Sequence, residues 1–326
     1  MEFRTILQPL QKAGLVSHST PVFMLGSCFT DSVGGRLERD LFDVMRNPFG
    51  TVYNPASIDT QIKFLNREIK VSSDDLIQVN GLWHSFLTHS SLSAVSPEVL
   101  LENISRAAES ALKFLQRAEV AVLTFGSAWV YRYNLTNEIV SNCHKLSARE
   151  FTQEILSVAE AASYIDGCIK GLRSVAPDLN IILTVSPIRH LADGLHGNQL
   201  SKATLLLAAE TVVSASENVI YFPAYEAVMD DLRDYRFYDA DMKHPSSVAV
   251  DYIYSLFSES FFAPGTKEAA VAARKYKNLT AHRPLTSSEE IRHNLKKQIF
   301  QSAQRLKALY PELAAAVDKT LISYEI

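Results

Sequence analysis

Four short apolar runs, with Asp43–Arg46 read as a further short strand, constrain this chain more than any other feature. The four are Val22–Gly26, Val120–Phe125, Ile181–Val185 and Val219–Phe222. Each is too short for a helix and rich enough in branched residues to read as a buried strand. Between them lie stretches with helical spacing. Val33, Leu37 and Leu41 form one stripe, and Ile58, Ile62 and Leu65 a second. Ile104, Ala108, Ala111 and Leu115 form a third, after the start signal Ser96-Pro97-Glu98. Further helices are expected over about 153–175, from Asn198, over 224–233, and from Pro245 onward. Strands alternating with helices predict βαβ units and a parallel sheet. Each of the five is followed by polar or glycine-bearing residues: Ser27, Gly50, Gly126, Ser186–Arg189 and Asp241–His244. That places one site along the carboxyl edge of the sheet.

The remaining segments fit around this frame. Leu76–Val79 and Leu82–Leu87 flank Asn80-Gly81, a hairpin signal, and residues 130–142 read as a second hairpin. From residue 264 the chain alternates charged and apolar residues at helical spacing, so the expected division is 1–263 for the α/β domain and 264–326 for a C-terminal helical extension. Three roles stay open for that extension: covering the site, forming a dimer surface or extending the core. The net charge of −4 offers no basic excess to neutralise phosphates, which argues against a nucleic-acid partner. No run of about 18 apolar residues predicts a membrane span. The first residues carry no apolar stretch of signal-peptide length, so a cytoplasmic location is expected. Cys28, Cys143 and Cys168 are too few and unevenly spaced for a disulfide framework, and no Cys/His spacing predicts a metal site. No organic cofactor is called for.

Ser27 stands where the first run breaks into a helix. There its hydroxyl meets the sheet edge, and the unpaired N–H groups of the helix can hold an oxyanion. Asp241-x-x-His244 supplies a base and a carboxylate to orient it, with Asp239 as an alternative carboxylate. The reading is a serine hydrolase in the chain order Ser27, Asp241, His244. Cys28 reads as a small packing residue, the alternative being a thiol activated at a helix start.

Gly26-Ser27-Cys28-Phe29 resembles the signature of the GSCFA family, with Thr30 in place of its alanine, within the SGNH/GDSL hydrolase superfamily. Asn47-Pro48-Phe49-Gly50, Asn142-Cys143-His144-Lys145 and Val185–His190 also resemble it, over roughly residues 20–260. The resemblance implies a three-layer α/β/α fold, SGNH-hydrolase-like and flavodoxin-like, around a mostly parallel five-stranded sheet. It implies esterase or deacylase chemistry on O-acyl groups, with an acetylated carbohydrate as the analogous substrate class. It also implies an oxyanion site made by the Ser27 N–H, the Gly50 N–H and an Asn after the third strand. Here that strand is followed by Gly126-Ser127-Ala128-Trp129, so Asn54, Asn142 and His144 become the candidates for the missing donor. His84, Trp129, Asn142, His144, Arg189 and His190 are the expected pocket residues. The absent Asn motivates a rival reading, a non-catalytic binding protein for a small molecule or carbohydrate.

Overall fold

The computed structural model describes residues 4–282 and 289–323. The expected limits 1–263 and 264–326 include residues 1–3, 283–288 and 324–326, which lie outside the described residues. The central sheet holds β1 (Val22–Gly26), β2 (Val44–Arg46), β5 (Val120–Phe125), β9 (Asn180–Val185) and β10 (Val219–Tyr221) in the order β10-β9-β5-β1-β2. Every pairing is parallel, with Val22 opposite both Val44 and Val120, and Val120 opposite Asn180. This is the three-layer α/β/α architecture expected. The order reverses between β1 and β5. The crevice at their carboxyl ends is therefore the topological switch point, the place where such sheets bind ligands.

Strand alternation builds the two flanking layers. Phe23, Leu25, Ala121, Leu123, Ile181 and Leu183 face α2 (Pro55–Leu65), α3 (Pro97–Leu115), α4 (Val158–Val175) and α5 (Gly194–Ala215). Val22, Met24, Val120, Val122 and Ile182 face α1 (Cys28–Arg39) and α7 (Ser247–Phe261). Both sheet faces are covered, which is why these strands read as continuous apolar runs. Between β10 and α7, a short helix α6 (Ala224–Glu226) runs into a π-helical turn (Ala227–Leu232).

Two smaller sheets sit beside the main one. Hairpin β3 (Leu76–Val79) and β4 (Leu82–Ser85) turns at Asn80 and Gly81, both with positive φ, as expected of an Asn-Gly turn. The second hairpin, β6 (Trp129–Tyr133) and β7 (Glu138–Val140), gains a third strand, β8 (Phe151–Ile155). That strand corrects the expected helix over 153–175. The helix begins at Val158, where Ser157 and Glu160 form a capping box. Two other helix starts also shift. Ser246, not Pro245, caps α7, and α5 begins at Gly194, four residues before Asn198.

The C-terminal helices α8 (Pro264–Ala281), α9 (Glu289–Leu309) and α10 (Ala314–Ser323) share a core of Ala273, Tyr276, Ile299, Ala303, Leu313 and Val317. Leu41 joins that core from the main body, and Ala270 of α8 packs into the α1–α7 layer. No described helix is long and apolar enough to cross a membrane.

Candidate active site

β1 ends on Gly26 with φ 141°, and a Cβ there would stand 2.2 Å from the carbonyl oxygen of Thr124. Only glycine lets β1 and β5 close to this distance at the switch point. The next residue, Ser27, is fully buried and caps α1. Its hydroxyl accepts the Phe29 N–H at 3.3 Å, and its own N–H donates to Thr124 O at 3.1 Å. Cys28, the first helical residue, is half-buried and packs at the margin of the α1–α7 core.

The opposing loop brings His244 to that thiol. Nε2 of His244 lies 3.8 Å from Cys28 Sγ, and Nδ1 lies 2.6 Å from Asp241 Oδ2. Asp241 Oδ1 accepts the N–H groups of Lys243 and His244 at 2.9 and 3.0 Å. These two N–H groups, then the imidazole, hold the Asp241 carboxyl well below the usual carboxylate range. A carboxylate on Nδ1 fixes the proton there and leaves the Nε2 lone pair toward sulfur. Asp239 has a different job: its N–H donates to His244 O, and its carbonyl accepts from Met242 N–H, closing the loop.

Asp241 and His244 are therefore brought together as expected, but Ser27 is not the group they face. Its side chain is turned back onto the helix by its capping role, and the residue one position later meets the imidazole. Burial pushes the Cys28 thiol up. Asp31 adds to this, while the N–H groups of Cys28 and Phe29 and the Lys202 ammonium act in the opposite direction.

The expected oxyanion donors also need correction. The Ser27 N–H belongs to Thr124 O, and the Gly50 N–H donates to Asn47 O at 2.8 Å. Asn54 caps α2, its Oδ1 accepting the Ser57 N–H at 2.8 Å. The Cys28 N–H stands at the first helical position, where no intrahelical acceptor exists. Among the described residues no oxygen accepts it.

Arg189 belongs to the site wall. Its N–H donates to Lys243 O at 3.1 Å, its guanidinium to Met242 O at 3.0 Å, and the rings of Tyr235 and Tyr238 lie 5.6 Å from it. It secures the loop that carries His244. Trp129 instead anchors β6 to α5, its indole N–H donating to Gly197 O at 3.3 Å.

His84, Asn142 and His144 bond to one another's neighbourhood rather than to Cys28 or His244. The two imidazoles lie 4.6 Å apart, Ser93 Oγ meets His84 Nδ1, and Asn142 Oδ1 accepts the His144 N–H at 2.8 Å. His144 Nε2 donates to Ser85 O at 2.7 Å, with Ser90 Oγ 3.2 Å from Nδ1. Burial pushes His144 down to about 4. Between that value and 6.5 the unfolded chain binds a proton that the folded one refuses. This contribution to stability is therefore present above pH 6.5 and lost as pH falls toward about 4. Thermal melts at about pH 7 and about pH 5 should show a smaller acid-induced loss in His144→Asn than in wild type. Asparagine is chosen because it tolerates the left-handed backbone here, φ 48°. Equal losses in the two proteins would remove the assignment.

Two more groups complete the wall, half-buried His190 and buried Lys202. His190 donates its N–H to Asn198 Oδ1 at 2.9 Å, and its ring meets Tyr53 edge-on at 5.5 Å. A Cβ at Gly126 would stand 3.2 Å from His190 Nε2 and 3.3 Å from Ser27 Cβ, so glycine there lets the β5 loop lie against the site. Burial, Lys202 and His244 push His190 down to about 4. Lys202, which the sequence reading passed over, lies behind Gly126. Asn198, Ser201, Lys202, Leu205, Ala208 and Val212 are all buried on α5. Their spacing puts the lysine on the apolar stripe, and that was the available signal.

No curated protein matches the chain. A crystal structure of a carbohydrate esterase family 3 protein from Talaromyces cellulolyticus is similar at a TM-score of 0.37 and 8% identity, covering 73% of this chain and 94% of that one. The GSCFA family model matches residues 21–257, a stretch that opens at β1 and closes within α7. Both sides of the crevice, Gly26-Ser27-Cys28-Phe29 and Asp241-x-x-His244, fall inside that match, and the chain belongs to the GSCFA family.

Proposed function

We propose that this protein hydrolyses O-acyl esters with Cys28 as nucleophile, His244 as general base and Asp241 as the group that orients the imidazole. The observation that carries this reading is the line Asp241 Oδ2, His244 Nδ1, His244 Nε2, Cys28 Sγ, with spacings of 2.6 and 3.8 Å across the imidazole. It is the arrangement of an activated nucleophile. His244 Nε2 takes the thiol proton as sulfur attacks the ester carbonyl carbon. The carbonyl oxygen becomes an oxyanion facing the Cys28 N–H. Collapse breaks the carbon–oxygen bond, and the imidazolium returns its proton to the leaving alcohol. Water, deprotonated by His244, then attacks the acyl-thioester and releases the acid and free Cys28.

An O-acylated carbohydrate is the substrate class to try first. The analogy is to the superfamily, and Tyr53, before α2, and Tyr235, against Arg189, are exposed aromatic residues. The rival reading, a binding protein without turnover, draws support from the bonded state of the Ser27 and Gly50 N–H groups. A covalent intermediate separates the two. Brief exposure to an activated short-chain ester, acid quenching and peptide mapping should find the acyl group on Cys28, removable by hydroxylamine. Acyl on Ser27 would refute the assignment of the nucleophile, and no acyl on either residue would favour the binding protein.

A further inference from the structure

A polar cleft of about 580 Å³ begins one helical turn from Cys28. Its walls include Asp31 and Glu38 of α1, Arg46 of β2, Asn47 just after that strand, Thr51, and Ser91 from the segment before α3. Asp31 follows Cys28 by three residues on α1. Side chains so spaced share a helix face, with Cβ atoms about 5–6 Å apart. Glu38 stands two turns beyond Asp31, about 10 Å along the axis. A second link comes from below: Asn47 Oδ1 accepts the Gly26 N–H at 2.9 Å, so the cleft lining is bonded to the turn that carries Cys28.

The lining is already fixed in place. Arg46 Nη1 donates to Asp31 Oδ1 at 2.8 Å, and its Nε and Nη2 donate to the two oxygens of Glu38 at 3.0 and 3.1 Å. The three side chains are 33–42% exposed, and ion pairs in so much water contribute little to stability. They keep bonding capacity toward the cleft, for Asp31 Oδ2 takes no part in these bonds. Asn47 points to a ligand independently. It is only 9% exposed, and among the described residues its Nδ2 has no partner. A buried amide donor left unpaired is costly, and a binding site is one reason for a fold to keep it.

Resting on the reading of Cys28 as nucleophile, we propose that this cleft receives the alcohol half of the ester, and that this half is a neutral, polyhydroxylated group. Asp31 and Glu38 accept its hydroxyl protons, while Arg46 and Asn47 donate to its oxygens. The chemistry of the lining selects this class. A hydroxyl both donates and accepts, so it can answer carboxylates, a guanidinium and an amide side by side. An acyl hydrocarbon chain would strip water from these groups and return no bonds. Two carboxylates against one guanidinium disfavour an anionic alcohol. The distance from Asp31 to Glu38 suits a sugar-sized group.

The test compares two acetyl esters on the full chain: glucose carrying one acetyl group, and cyclohexylmethyl acetate, which has a ring of similar size and no hydroxyl. Wild type should favour the glucose ester in kcat/KM by about tenfold or more. Asp31→Ala and Glu38→Ala should each shrink that ratio severalfold, and the double variant should bring it close to one. Because the readout is a ratio, any change that Asp31→Ala makes in the reactivity of Cys28 cancels. A network that merely ties β2 to α1 would lower the melting temperature and leave the ratio where it is. Should the alanine variants not fold, Ser91→Ala and Thr51→Val break no ion pair and should shrink the same ratio. Equal kcat/KM on the two esters in wild type, or a ratio untouched in the folded variants, would overturn the proposal. Both results leave the nucleophile assignment standing, since that is read from the position of the acyl group in the wild-type protein. Absence of acyl on Cys28 would remove that assignment and this one with it.

Discussion

Cys28→Ala is expected to lower kcat on a short-chain acyl ester by about 10⁴–10⁶-fold, the scale seen when a nucleophile is removed from a triad. Ser27→Ala is expected to leave kcat within a few-fold of wild type and to cost about 1 kcal/mol of stability, the usual loss for a helix cap. The two residues are adjacent, so the pair of variants isolates one question: which oxygen or sulfur the imidazole serves. The buried Ser27 hydroxyl is bonded to the Phe29 N–H, and its N–H is bonded across to β5. Attack from it would require dismantling the start of α1. Cys28 needs no rearrangement to meet His244. A thiol also suits a site with few oxyanion donors. Its ordinary pKa near 8.5 lies far below that of an alcohol, so less stabilisation is asked of the surroundings. Cys28→Ser should accordingly be much slower than wild type, although it restores a hydroxyl. Steady-state kinetics with a chromogenic acetyl ester, alongside thermal melts, measure all three. Full loss in Ser27→Ala with activity kept in Cys28→Ala would reverse the assignment.

The sheet was legible because its strands are buried on both faces, so Val120–Phe125 and Ile181–Val185 read as plain apolar runs. β8 was not legible. Phe151-Thr152-Gln153-Glu154-Ile155 is a mostly polar edge segment, and its 3.6-residue spacing into the next helix hid a strand whose partner, β6, lies some twenty residues back. The capping box at Ser157 and Glu160 was the mark of the true boundary. The Asp241–His244 pair was legible because three residues of local chain connect it. Choosing between Ser27 and Cys28 turned on helix phase. Serine is the favoured cap, and a cap's side chain turns back to the helix N–H groups, leaving the following residue to face the cleft. The histidines of the hairpin region, His84 and His144, looked like pocket residues from position alone. Their partners, serines and a carbonyl from separate loops, depend on tertiary contacts that no local spacing reports.

The same limit hid Asp40, whose replacement should have the largest effect on stability. Asp40→Ala is expected to destabilise the protein by about 1–3 kcal/mol, the cost of removing the acceptor from a buried donor together with its half-exposed ion pairs. The Asp40 carboxylate is fully buried at the end of α1. It accepts Arg274 Nε at 2.9 Å and the same guanidinium again through Nη2. It also accepts Tyr254 OH at 2.9 Å and Arg39 Nε at 3.1 Å. Its carbonyl meets His18 Nε2 at 3.0 Å. Three elements thus converge on one side chain: α1 from the first βα unit, α7 beside it in the same layer, and α8 from the helical extension. Alanine would leave the buried Tyr254 hydroxyl with no acceptor, and an unpaired buried donor is more costly than the bond it loses, while the half-exposed Arg274 guanidinium would turn to water. The damage should be local first. Amide hydrogen exchange should quicken in α8 before it quickens in β1 or β5, because the sheet keeps its own packing while the extension loses its polar anchor. Arg274→Ala should cost less, since Arg39 and Tyr254 still satisfy the acid, and the double variant should cost less than the sum of the two singles. Additive losses, or exchange that rises evenly across the sheet and α8, would mean that apolar contacts alone hold the extension to the α/β body.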